Sequence, residues 1–160
     1  MNRLVSLLVV VVLLLSASLA VAAKPQVAEA EAIKAEALRD FEGILDLWRA
    51  GDFGELYNRT LINGKDTKES FTRRMESARL KPSCCWEKLQ EAKVSVKGPS
   101  SVVIRAKLGF DAPGEAEYKT KSFKLYKEDG QWRIARSEIL SLAEVKKEKK
   151  ARRHHRKYGN

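Results

Sequence analysis

Residues 101–139 read SVVIRAKLGFDAPGEAEYKTKSFKLYKEDGQWRIARSEI. Val102, Ile104, Ala106, Leu108 and Phe110 occupy every second position, with Val103, Arg105, Lys107 and Gly109 between them. Strict alternation of this kind marks a strand with one buried face. DAPGE is a turn, residues 116–126 (AEYKTKSFKLY) are a second strand, EDG is a tight hairpin and QWRIARSEI is a further strand. Just upstream, Val94 and Val96 alternate with Lys93, Ser95 and Lys97, and GPSS turns that strand into the quoted stretch. Strands joined by short turns form an antiparallel meander. Two of them change phase midway. Tyr118 and Thr120 are even-numbered but Phe123 and Leu125 are odd; Trp132 and Ile134 are even but Ala135 and Ile139 are odd. A bulge or sharp bend in each strand accounts for the switch and would curve the sheet.

Before residue 80 the period is different. Ile33, Ala37, Phe41, Ile44, Leu45 and Trp48 recur at steps of three and four, which is one apolar face of a helix of about five turns. The Ala-rich lead-in KPQVAEAEA merges into it, and Gly51 stops it. Asp52, with Glu55 three residues on, opens a shorter helix whose apolar side is Phe53, Leu56 and Tyr57. NRTLINGK is a turn-rich link. Asp66 and Glu69 repeat the capping spacing, Phe71, Met75 and Ala78 mark a third helix, and Pro82 ends it. The predicted fold class is therefore α+β: three N-terminal helices packed on a curved four-stranded antiparallel sheet. Trp48, Phe41, Phe71, Met75, Ile104, Leu108, Phe123 and Trp132 are its predicted core.

The segment FEGILDLWRAGDFGELYNRT resembles the opening of the NTF2-like superfamily, with a long helix, an aromatic residue, a Gly-Asp break and a short helix ending in Leu and an aromatic residue. FKLYKEDGQWRIARSEI resembles the superfamily's last hairpin, and the similarity spans roughly residues 28–143. The resemblance implies an α+β cone whose helices and sheet enclose a pocket. Some members are enzymes, such as ketosteroid isomerases and dehydratases; others bind small molecules, form dimers or have no known activity. Fold alone does not choose among these. The catalytic residues of the enzymatic members have no matching positions here, so no catalytic residue is assigned.

The first 24 residues, MNRLVSLLVVVVLLLSASLAVAAK, place Arg3 before an apolar run that is followed by small residues at A-x-A spacing in Ala20-Val21-Ala22. This is the pattern of a secretory signal peptide over residues 1–23. An uncleaved membrane anchor is the competing reading, because the run approaches the ~20 residues that span a bilayer. No lipidated cysteine follows. The domain is then residues 24–143, exported to the periplasm or the extracellular space. The chain of 160 residues has a net charge of +10, of which residues 144–160 (EVKKEKKARRHHRKYGN) hold +6 and residues 24–143 only +3. The basic tail is either a solvated extension or attracted to an anionic membrane surface. Tyr158 is its only aromatic residue, which argues against a nucleic-acid surface.

Few residues point to chemistry. Cys84 and Cys85 are adjacent and are the only cysteines. Packing beside Trp86, an inert strained bond, an interchain disulfide, and redox or metal chemistry are the alternatives. Neighbouring side chains in an extended segment point to opposite sides. Two thiols are therefore expected, one facing the core near Trp86 and one facing outward and able to join two chains. The only histidines, His154 and His155, are in the tail, so no pocket triad and no metal site is assigned. Asp40 and Asp46 flank the apolar stripe as solvated groups, and Asp52 is used as a cap. Arg136 and Glu138 continue the side of the strand begun by Trp132 and Ile134. Without a bulge they would point into the cone; with one they would turn to solvent. The candidate ligand pocket comprises Trp48, Tyr57, Trp132, Arg136 and Glu138. The expectation is a non-catalytic module at the cell envelope that binds a small apolar molecule, or acts as an interaction module, without a cofactor and with homodimerisation open. A lyase or isomerase using a pocket carboxylate, and an adaptor acting through its tail, are the alternatives.

Overall fold

The first helix, α1 (Ala23–Ala50), buries Ala37, Phe41, Ile44, Leu45 and Trp48 along one stripe. Gly51, at φ +80°, ends it: the Gly51 N–H bonds to the Trp48 carbonyl at 3.1 Å and the Asp52 N–H to that of Leu47 at 3.0 Å. This pair of bonds needs a left-handed residue, which glycine supplies without a Cβ penalty. Asp52 then caps α2 (Phe53–Asn58), accepting from the Glu55 N–H at 3.2 Å. The computed structural model describes residues 23–61, 66–111 and 116–145. The leader before Ala23, the tail beyond Val145 and both histidines lie outside the described residues. Among the described residues, no helix is long and apolar enough to cross a membrane.

The cap of α3 (Lys68–Glu76) is Thr67, not Asp66: the Thr67 hydroxyl accepts from the Ser70 N–H at 3.2 Å. Asp66 is held elsewhere, its carboxylate 3.4 Å from Arg74 and its carbonyl receiving Tyr57 and Arg136. Nor does Pro82 end this helix. The turn is closed at Ser77, and Pro82 lies buried in a fifth strand, β1 (Lys81–Pro82), opposite Phe110.

The sheet is antiparallel and curls into a half-barrel. β3 (Ser101–Asp111) is central. One of its sides pairs with β1 and then with β2 (Gln90–Gly98), and the other with β4 (Ala116–Glu128), which pairs in turn with β5 (Gln131–Ile134). The expected bulge in β4 is absent: its register with β3 runs unbroken from Ser101↔Tyr126 to Asp111↔Ala116. Odd-numbered β4 residues face inward throughout. Tyr118 and Thr120 stand on the outer face, while Lys119 and Lys121 continue the inner side marked by Phe123 and Leu125. Toward its rim the inner face is finished by ion pairs instead of apolar side chains, which is why the pattern misleads. The register shifts occur in β2, between Gln90 and Lys93 and between Val96 and Gly98.

The last strand is also shorter than expected. β5 stops at Ile134, and a fourth helix, α4 (Arg136–Leu142), follows. Arg136, Ile139, Leu140 and Ala143 recur at helical spacing and are buried. The phase change after Ile134 is thus a strand giving way to a helix. Residues 59–61 run beside β5, with Thr60 bridged in parallel to Ile134. All eight predicted core residues are at most 1% exposed. Phe41 meets Phe123 at 4.9 Å and Trp48 meets Phe110 at 5.7 Å between ring centroids, within the range favoured by aromatic pairs.

Candidate functional site

A cleft of about 370 Å³ opens where α2, β5 and α4 converge, lined by Tyr57, Asn58, Thr60, Gln131, Arg133 and Arg136. Arg136 is its deepest cation, at 4% exposure. As the first residue of α4 it projects toward the strip that follows α2. Its Nε donates to Thr60 Oγ1 at 3.1 Å, Nη1 to the Asp66 carbonyl at 2.7 Å and Nη2 to the Leu61 carbonyl at 3.0 Å. Its guanidinium carbon lies 4.2 Å from the Tyr57 ring centroid, a stacked cation–π contact. The Tyr57 hydroxyl donates to the same Asp66 carbonyl at 3.2 Å, and the Thr60 hydroxyl to the Tyr57 carbonyl at 2.7 Å. Every acceptor on Arg136 is neutral. Among the described residues no carboxylate pairs with it. Its five N–H groups make three bonds there, leaving two for another acceptor.

Arg133 forms the second wall. It donates to the Asn58 carbonyl at 3.0 Å and lies 3.5 Å from Asp129 and 3.8 Å from Glu128, at the outer end of the hairpin. Behind the cleft, Asp40 accepts from the Trp132 N–H at 2.9 Å and sits 3.4 Å from Arg59. Asp40 is therefore a structural tie between α1 and β5, not the solvated group expected. Asp46 is the more exposed of the two and accepts from Lys88.

Of the five predicted pocket residues, Tyr57 and Arg136 meet in this cleft. Trp48 and Trp132 are in the core, and Phe41, Ile104, Leu108 and Phe123 fill the concavity around them. Glu138 is turned away. Residues two apart on a helix point about 200° apart, so Arg136 faces Thr60 while Glu138 faces β4. Burial raises the Glu138 pKa, opposed by the charges of Lys121 and Lys124 and by the Lys124 backbone N–H. Its Oε2 is buried without a described hydrogen-bond partner. The Arg–Glu pair pointing into a cone is not formed. Asn58, Thr60, Gln131 and Arg133 were not expected at the site. Alternation along QWRI places Arg133 opposite Trp132, which is a usable signal; Thr60 has none.

Cys84 and Cys85 are joined to each other, contrary to the expectation of two thiols on opposite sides. The segment is not extended. Cys85 adopts φ +59° and opens a 3₁₀ turn, Cys85–Glu87, which brings both sulfurs to one side. Both cysteines are exposed, and Trp86 is 73% exposed instead of packing on the core. Among the described residues, no group of three or more His, Cys, Asp or Glu side chains could hold a metal ion. In comparisons with protein-family models and with curated proteins, the chain matches none.

Proposed function

We propose that this chain is an exported binding module of the NTF2-like kind, without catalysis, and that its cleft takes a small organic anion. The observation that carries this reading is Arg136. It is a buried guanidinium stacked on Tyr57 and bonded only to neutral oxygens, and it lines the cleft together with a second guanidinium, Arg133, whose own neighbours are the Asn58 carbonyl, Glu128 and Asp129. Two planar, always-charged forks suit a carboxylate or phosphate. The Tyr57 ring offers an apolar surface to the rest of the molecule. This moves the expected ligand from a purely apolar one toward one with an anionic head, because the concavity is occupied by the core while the cleft walls are polar and cationic. A lyase or isomerase would require a titratable group at the ligand. The carboxyl candidate, Glu138, faces Lys121 and Lys124 instead.

Export rests on the leader pattern of residues 1–23, and attraction of the tail to anionic surfaces on its charge. The cleft is tested by titrating the protein with a panel of carboxylates and organic phosphates by calorimetry. The expected result is binding that Arg133→Gln weakens about tenfold or more in a protein that still unfolds cooperatively. No binding across the panel, or binding indifferent to Arg133→Gln, overturns the reading.

A further inference from the structure

The outer face of the sheet carries a second surface that the cleft does not use. Lys93 and Lys97 on β2, Arg105 and Lys107 on β3, and Lys124 on β4 all project to it. With strands ~4.8 Å apart and ~3.4 Å of rise per residue, the five charges fall within a patch of roughly 10 by 20 Å. None pairs with a described carboxylate within 4.0 Å. Lys93 and Arg105 stand directly opposite each other across the β2–β3 ladder. Like charges so placed repel and weaken the pairing. An external anion would relieve this repulsion.

The same face has apolar anchors at its rim. The loop between β1 and β2 folds over Gly109, where an added Cβ would meet the Glu87 carbonyl oxygen at 2.5 Å and Tyr118 at 3.2 Å. Next to that contact stand the exposed Cys84–Cys85 bridge and Trp86. Tyr118, 42% exposed, lies under the Lys107 ammonium at 4.6 Å, and Tyr126, 40% exposed, occupies the opposite end of the patch. Tryptophan and tyrosine at the edge of a cationic field are the side chains that settle at the headgroup level of a bilayer.

We infer that this outer face docks on an anionic lipid surface, with Lys93, Lys97, Arg105, Lys107 and Lys124 on the headgroups and Trp86 in the interfacial layer. The charge is complementary, the anchors are interfacial aromatics, and the leader sends the chain where such surfaces are found. The tail carries charge of the same sign and would be drawn to the same kind of surface.

The experiment follows Trp86 fluorescence in the full mature chain. Trp48 and Trp132 are buried, so a change on binding reports Trp86. Vesicles of phosphatidylcholine with phosphatidylglycerol should shift the emission to the blue, and pure phosphatidylcholine should not. Trp86→Phe should abolish the shift and confirm its source. The triple variant Lys93→Ser, Arg105→Ser, Lys124→Ser should partition about a hundredfold more weakly, at roughly fivefold per charge. Its thermal unfolding should lie at or slightly above the parent's, because the Lys93–Arg105 repulsion is gone, which separates lost docking from lost folding. Because the tail is intact in every variant, binding by the tail alone would leave both readouts unmoved. A partition unchanged in the triple variant, or an unmoved Trp86 emission on saturating vesicles, overturns the inference. So does a single-stranded oligonucleotide that shifts Trp86 when anionic vesicles do not, which would make the face a nucleic-acid surface.

Discussion

On β4, Lys119 and Lys124 are five residues apart and have opposite surroundings. Lys119 points inward and sits 2.6 Å from Glu144 and 3.2 Å from Glu117. Lys127, also inward, reaches Glu36 on α1 at 2.7 Å. Lys124 points outward and pairs with no described carboxylate. The inner face thus uses lysine to finish a core that its apolar residues do not fully cover, and its partners come from α1 and the chain after α4. The carboxylates respond accordingly. Hydrogen bonds from Lys127 and Lys119 are the first cause holding the Glu36 and Glu144 carboxyls below their ordinary range. On the outer face Lys93, Lys97, Arg105, Lys107 and Lys124 make no ion pair with a described carboxylate. Charge that the fold employs and charge that it merely tolerates can be separated by mutation.

The largest effect belongs at the centre of the inner face. Trp48→Ala should cost about 3–5 kcal/mol, as for other large buried aromatics, read from the denaturant midpoint. A midpoint unmoved by that change would break the assignment of α1 to the core. Arg136→Gln should cost about 2–3 kcal/mol, because it leaves the Leu61 and Asp66 carbonyls and the Thr60 hydroxyl without their donor. One outer-face position should behave like the core. Gly109→Ala drives a Cβ against the Glu87 backbone and should cost about 1–3 kcal/mol through overpacking.

A fourth, smaller effect is one of pH. The folded Glu138 carboxyl keeps its proton to a higher pH than in the unfolded chain. Between the ordinary value of 4.5 and that raised value, the folded state binds the extra proton, so stability falls as pH rises through this window. Glu36 has the opposite sign: its stabilisation is present above 4.5 and is lost as pH falls below it. Glu138→Gln should remove the first slope and leave the second, as measured by chemical denaturation across the acid range. The smallest effect has the reverse direction to the others. Lys93→Glu places opposite charges across from each other and should raise stability by about 0.2–1 kcal/mol. Destabilisation there would mean that the outer cations serve the fold after all.

What could be read from sequence was local. The Trp48 stripe, the Gly51 stop and the Asp52 cap involve residues within five positions of one another, and all three are found as expected. The three long strands β2, β3 and β4 were legible for the same reason, whereas the expected fourth runs only to Ile134. Failures came where a distant partner decides. Thr67 caps α3 because Asp66 is occupied by Arg74, Tyr57 and Arg136. Glu117 and Lys119 face inward because Arg79 and Glu144 meet them there. The cleft was half legible: Tyr57 and Arg136 were singled out, but for a cone interior that the core fills. Nothing in NRTLINGK shows that its carbonyls will receive a guanidinium 75 residues away at Leu61. At KPSCCWEKL the alternation rule assumed an extended chain, and the left-handed Cys85 breaks that premise.

The strip beside β5 has a consequence for how copies of the chain meet. A strand at the margin of a sheet is a template for polymerisation by strand addition. Here the β5 margin is already used: the Leu61 N–H reaches the Ile134 carbonyl at 2.9 Å, and the Ile134 N–H reaches that of Arg59 at 3.4 Å. Two longer margins remain: β2, where the register slips twice and lysine recurs at positions 93 and 97, and β4 from Ala116 to Lys124, which β5 does not reach and which carries Lys119, Lys121 and Lys124. Two β2 margins laid side by side would bring lysine against lysine along a ladder that does not keep register. The β5 margin is capped from within and the other two are lined with lysine, which works against runaway fibre growth through the sheet.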